Sequence, residues 1–87
     1  MIPAAMPKTI HRHEYKVLLR LLRERRQHAG LTQAQCSKAL GRTQSFVSDI
    51  ERGVRRLDLV QLRDLCLVLN IDLPSFIRMF ERNLTRG

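Results

Sequence analysis

Gln44, Ser45, Ser48, Asp49 and Arg52 fall within one short stretch, with Val47 and Ile50 interleaved. At helical spacing the five polar residues share one face and the two apolar residues point the other way. The chemistry on offer is directional hydrogen bonding rather than bond making. The Gln44 amide carries a donor and an acceptor side by side, the pattern that pairs bidentately with adenine in a major groove. Ser45 and Ser48 can serve bases or phosphates. Asp49 can accept from cytosine N4, or repel wrong registers. Taken in isolation, the same residues also fit an ordinary solvated helix face.

Other constellations carry less. No nucleophile–base set or paired carboxylates occur, and Ser48 and Asp49, being adjacent, diverge on a helix, so no enzyme is expected. His11, His13 and His28 have no acid or thiol placed with them, so neither metal nor cofactor is expected. Cys36 and Cys66 match no metal spacing and no redox pair; two reduced, buried thiols in a cytoplasmic chain are expected.

Charge points to the partner. Sixteen Lys and Arg against eight Asp and Glu give a net charge of +8 and an isoelectric point near 11.1. Such a balance implies a polyanion, either nucleic acid or an anionic membrane surface, rather than a surface kept basic for solubility alone. Most of the cations are Arg, whose fork suits phosphate and guanine. No apolar run is long enough to span a bilayer. Met1–Lys8 lacks the basic and apolar regions of a signal peptide, in keeping with a cytoplasmic location.

The elements that must position these residues are helices. Eighty-seven residues make one small domain. With 5% aromatics and no Trp, its core is aliphatic. No segment alternates like a strand. Residues 1–10, with Pro3 and Pro7, read as a flexible arm, 11–81 as the domain and 82–87 as a tail. The first helix runs from about His11–His13 to Ala29, with Tyr15, Leu18, Leu19, Leu22 and Ala29 as its apolar stripe and Gly30 as its stop. The second starts at Thr32, which forms a capping box with Gln35, and turns Cys36, Ala39 and Leu40 inward. The third takes Thr43 as N-cap and runs to Arg52, ending at Gly53. The fourth is capped by Asp58 and carries Leu62, Leu65, Cys66 and Leu69. The fifth is capped by Asp72 and carries Leu73, Phe76, Ile77 and Phe80. Phe46 packs inward or lies over a sugar–phosphate edge, the former being favoured.

The second and third helices are separated only by Gly41 and Arg42, a helix-turn-helix spacing. Counted from Gln33, Ser37 is fifth, where crossing helices admit only a small side chain. Gly41 is ninth, where the chain turns with positive φ. Val47 and Ile50 are fifteenth and eighteenth, on the core face. The segment LTQAQCSKALGRTQSFVSDIERG, with LRERRQHAG before it and RRLDLVQLRDLCLVLNIDL after it, resembles the lambda-repressor-like, Cro-type helix-turn-helix family, also called XRE. The resemblance covers about Leu18 to Ile77. It implies an all-α, compact five-helix DNA-binding domain whose third helix enters the major groove.

By resemblance, Gln44, Ser45, Ser48 and Asp49 contact bases, while Gln33, Thr43, Arg42, Arg52, Arg55 and Arg56 contact phosphates. Gln33 is also placed to brace Gln44. Asp49 departs from the basic or amide residue more usual there. Arg26 and Glu51 correspond to the family's structural ion pair. The remaining arginines of the first helix, Arg20, Arg23 and Arg25, read as solvated. The implied function is a sequence-specific, double-stranded DNA-binding transcriptional regulator, most simply a repressor. One such unit covers too few base pairs, so a homodimer on a palindromic operator is expected. Its interface is assigned to the surplus apolar residues Leu67, Val68, Phe76, Met79, Phe80 and Leu84. The alternative is an antitoxin or similar module whose main role is to bind a partner protein. A single-strand or RNA binder would need stacking aromatics that the chain lacks. The short chain leaves no room for an effector domain, so regulation is expected from concentration, a partner or proteolysis.

Overall fold

The helical periodicity is realised as five helices: α1 (His13–His28), α2 (Gln33–Ala39), α3 (Phe46–Glu51), α4 (Leu59–Val68) and α5 (Leu73–Thr85). The computed structural model describes residues 12–85, and no strand occurs among them. The arm assigned to residues 1–10 and the last two residues of the tail lie outside the described residues. Residues 82–85, read as tail, continue α5.

Local chemistry accounts for most of the helix starts. The Thr32 hydroxyl accepts from the Gln35 amide at 3.0 Å, and the Gln35 side chain accepts from the Thr32 amide at 2.9 Å. Asp58 and Gln61 repeat the exchange at 2.7 and 3.1 Å. Each box satisfies two amides that have no partner within the helix. At α5, Asp72 accepts from the Ser75 amide and hydroxyl at 3.1 and 3.0 Å. Those bonds hold its carboxyl below the usual range.

The helix ends share one device. After α1, the amides of Gly30 and Leu31 return to the carbonyls of Gln27 and Arg26. The same double closure follows α2, α3 and α4, through Gly41 with Arg42, Gly53 with Val54, and Asn70 with Ile71. This is the Schellman arrangement, which needs a left-handed residue at its pivot. Gly41 (φ 69°) supplies it inside the tight turn between α2 and α3, and at the end of α4 Asn70 (φ 61°) does so without being glycine.

The start of α3 corrects the sequence reading. Thr43 is not its side-chain cap: its carbonyl accepts from the Phe46 amide at 3.0 Å, and α3 begins at Phe46. The cap comes instead from another helix. Ser37 of α2, fully buried, accepts from the Val47 amide at 3.0 Å. The position that must be small to let α2 and α3 cross thus also supplies the oxygen that starts α3.

α1 packs against α3 and α5, α2 against α3, and α4 against α5. The core they enclose is Val17, Leu21, Leu22, Cys36, Phe46, Val47, Ile50, Leu62, Leu65, Cys66, Leu69 and Phe76. Fully burying one such aliphatic or aromatic side chain contributes about 1.5–3 kcal/mol. The stripe on α1 is rotated from the one expected. Val17, Leu21, Leu22 and Arg26 are its buried residues, Tyr15, Leu18 and Leu19 are half-buried, and Ala29 is exposed at the C-cap. Arg26 takes the last inward slot. Ala39 and Ile77 are likewise exposed. Both cysteines are free and buried, and burial pushes the Cys66 thiol up to about 11.

Candidate nucleic-acid interface

α3 is short, and its position is set by contacts at both ends. At its start the Ser37 hydroxyl fixes the Val47 amide. At its end Glu51 is clamped by Arg26 of α1, Nε to Oε2 at 2.6 Å and Nη2 to Oε1 at 3.0 Å. The third guanidinium nitrogen of Arg26 donates to the Leu31 carbonyl at 2.8 Å. The pair is nearly dry, with side chains 11% and 6% exposed. Hydrogen bonding to Glu51 holds the Arg26 guanidinium above its ordinary range. Val47 and Ile50 anchor the inner face, at 2% and 0% exposure.

The outer face is polar. Gln44 and Ser45 are exposed in the turn that leads into α3, and Ser48 and Asp49 are half-buried on its first turns. Gln33, Ala34, Gln44, Ser45 and Ser48 line a shallow concavity of about 340 Å³. It continues into a second, of about 390 Å³, lined by Ala34, Lys38, Gly41, Arg42 and Gln44. Small side chains at Ala34, Gly41, Ser45 and Ser48 keep this surface open to close approach. Lys38, not singled out from the sequence, adds a cation beside Arg42. Its signal was its place one turn after Ala34, on the face of α2 opposite Cys36.

Gln33 does not brace Gln44. Its amide donates to Glu51 Oε1 at 2.9 Å, although both glutamines border the same concavity. Glu51 therefore gathers α1, α2 and α3 at one carboxylate. Asp49 is held by Arg52, at 2.6 Å. With Asp49 and Glu51 each paired to an arginine, the acids of α3 do not oppose an approaching anion unscreened. Thr43, Arg55 and Arg56 are exposed. Arg42 and Arg55 both lie over the ring of Phe46, with their guanidinium carbons 3.9 and 5.0 Å from its centroid. Phe46 itself is buried, 4% exposed.

One residue assigned to an interface is elsewhere. Phe76 is fully buried in the core, so it presents no surface to a second chain. Its helix packs against both α1 and α4. Met79, Phe80 and Leu84 are half-buried against that core, Val68 is half-buried, and Leu67 is 60% exposed.

Comparison with known proteins agrees with this geometry. A family model described as a helix-turn-helix domain matches residues 17–74. The solved structure of an XRE-family like protein from Pseudomonas syringae pv. tomato str. DC3000 superposes with a TM-score of 0.79 at 43% identity, over 86% of this chain and 92% of that one. The chain belongs to the XRE-type helix-turn-helix family. A mutant of the restriction-modification controller protein C.Esp1396I shares the fold, with a TM-score of 0.78 at 20% identity, over 87% of this chain and 96% of that one. No curated protein matches the chain. As an XRE-type protein it is a DNA-binding transcription regulator, and no helix among its described residues is long and apolar enough to cross a membrane.

Proposed function

We propose that this XRE-type protein is a sequence-specific repressor that sets the start of α3 in the major groove of an operator. The observation that carries the reading is the open polar concavity at that start. It gathers Gln33, Gln44, Ser45 and Ser48, Lys38 and Arg42 line its continuation, and Arg52, Arg55 and Arg56 are exposed at the end of α3 and in the loop after it. Side chains near the helix start meet base edges, and the surrounding cations meet phosphates. Gln44 is the principal base reader, with Ser45, Ser48 and Asp49 beside it. Gln33, Thr43 and the arginines position the domain. A regulator seated in the groove excludes other proteins from the same DNA, which is the simplest form of repression.

The protein is further proposed to act as a twofold dimer on a palindromic site. Leu67 is 60% and Ile77 39% exposed, and Val68, Met79, Phe80 and Leu84 are partly open near them in sequence on α4 and α5. Selection of bound duplexes from a random pool tests both statements. The expected result is a palindrome with half-sites about 34 Å apart. Gln44→Ala should lose roughly 1–3 kcal/mol of discrimination at one base pair per half-site and leave the fold intact. A pool with no enriched sequence would refute the reading.

The second reading, a module that binds a protein partner, is favoured by Val54, Leu59 and Val60, which are 67%, 65% and 68% exposed. Unselective duplex binding combined with tight binding of a partner chain would favour it.

A further inference from the structure

Packing and charge meet at Phe46. The residue opens α3 and is buried, yet two guanidiniums lie on its ring, that of Arg42 at 3.9 Å and that of Arg55 at 5.0 Å from the centroid. Arg42 belongs to the turn ahead of α3 and Arg55 to the loop behind it. One ring therefore ties down cations from both flanks of the helix. Both distances fall inside the range of about 6 Å over which an aromatic face attracts a cation. Arg20, Arg26 and Arg52 each hold a carboxylate. Among the described residues, the guanidiniums of Arg42 and Arg55 make no hydrogen bond or ion pair, and their contact is the ring alone. Their N–H groups are all left to an incoming anion.

We infer that Phe46 is a positioning residue for DNA binding, holding Arg42 and Arg55 as a paired phosphate clamp across the start of α3. The inference rests on the DNA-binding reading above and goes beyond it, because the ring itself touches no phosphate. A long Arg side chain loses rotamer freedom when it closes on a phosphate. A ring that already restricts two of them removes part of that loss before DNA arrives. Two like charges held close together also repel, and the negative face of the ring offsets this in the free protein. Leu at this position fills the core without a quadrupole. Lys at position 42 keeps the charge without the planar group that stacks.

The role separates from that of a phosphate contact in the salt dependence. Removing an arginine removes a charge and lowers the salt slope by about one. Removing the ring leaves both charges in place. Phe46→Leu should therefore weaken specific and scrambled duplexes alike, roughly five- to thirtyfold for two side chains that must then be ordered on binding, with the slope unchanged. Arg42→Lys should weaken binding in the parent and add almost nothing in the Phe46→Leu background. A residue that only supports the fold would show no such coupling.

The free protein provides an arm independent of DNA. Its NMR spectrum should show the Cδ protons of Arg42 and Arg55 displaced by the ring current, and the displacement should vanish in Phe46→Leu. If that variant does not fold, the parent spectrum and Arg42→Lys decide, and undisplaced protons overturn the inference. Parent-like affinity in folded Phe46→Leu overturns it, as does a slope lowered by about one. A parent that binds no duplex at all refutes the DNA-binding reading itself, before any variant is compared.

Discussion

Replacing Arg26 by Ala leaves the Glu51 carboxylate in a site only 6% exposed, with the Gln33 amide as its remaining side-chain donor. Two charge-assisted bonds to Glu51 disappear, and the Leu31 carbonyl loses its guanidinium donor. Breaking a buried pair by removing one partner costs about 3–5 kcal/mol, because the surviving charge has lost water and gained nothing in its place. The buried stem of Arg26 adds lost packing. A chain of this size has roughly 5–13 kcal/mol to lose. At about 4–8 °C per kcal/mol, the melting temperature should fall by roughly 12 °C or more. Thermal melts followed by circular dichroism, with urea titrations to check that m is unchanged, measure it. Arg26→Lys should fall between, since one ammonium cannot reproduce the fork. The double replacement of Arg26 and Glu51 by Met should recover to within about 1 kcal/mol of the parent, because no unpaired charge remains. A melting temperature for Arg26→Ala within about 4 °C of the parent would refute the reasoning, as would a double variant no better than the single one.

Ser37→Ala should cost about 1–3 kcal/mol in urea unfolding, since it strands the buried Val47 amide; a loss below about 0.5 kcal/mol would show that the bond is dispensable. Gly41→Ala meets no atom within 4 Å, so its cost should be conformational alone, about 1–2 kcal/mol for a left-handed residue. A neutral substitution there would contradict the positive φ. Arg55→Ala and Arg56→Ala should each lower the salt slope of duplex binding by about 0.9, equally for specific and scrambled DNA, and an unchanged slope would remove that residue from the interface. The Cys66 thiol, raised to about 11, should resist alkylation near neutral pH at the rate set by unfolding. Its neutral form contributes stability that is fully present below the unfolded thiol's value near 9.0 and lost as pH rises through about 11. Alkylation of the native chain as fast as of the unfolded chain would contradict this.

What the chain determines locally was legible from the residues themselves. The Thr32–Gln35 and Asp58–Gln61 boxes span three residues each, so their hydrogen bonds follow from types and spacing. The left-handed glycines that end α1, α2 and α3, and the inward turn of Val47 and Ile50, are likewise short-range consequences of backbone sterics and helical period. The helix-turn-helix was legible because four of its positions demand particular residues, a small one at Ser37, a left-handed one at Gly41 and apolar ones at Val47 and Ile50.

Apart from the Arg26–Glu51 pair, which the family resemblance implied, contacts between groups far apart in sequence were decided by the tertiary structure. The Ser37 hydroxyl meets an amide ten residues on, and the Gln33 amide meets a carboxylate eighteen residues on. Neither partner follows from a local pattern, because each depends on the angle at which two helices cross. The stripe on α5 placed Phe76 and Phe80 on one side of the helix, but only the packing of α1 and α4 shows that Phe76 is covered completely and Phe80 in part. Phe46 is the sharpest case. Its sequence neighbours suggested an apolar residue near a polar face, and the two guanidiniums on its ring come from segments on either side of α3. Burial and cation–aromatic contacts act through space, whereas periodicity records only the direction in which a side chain leaves its helix.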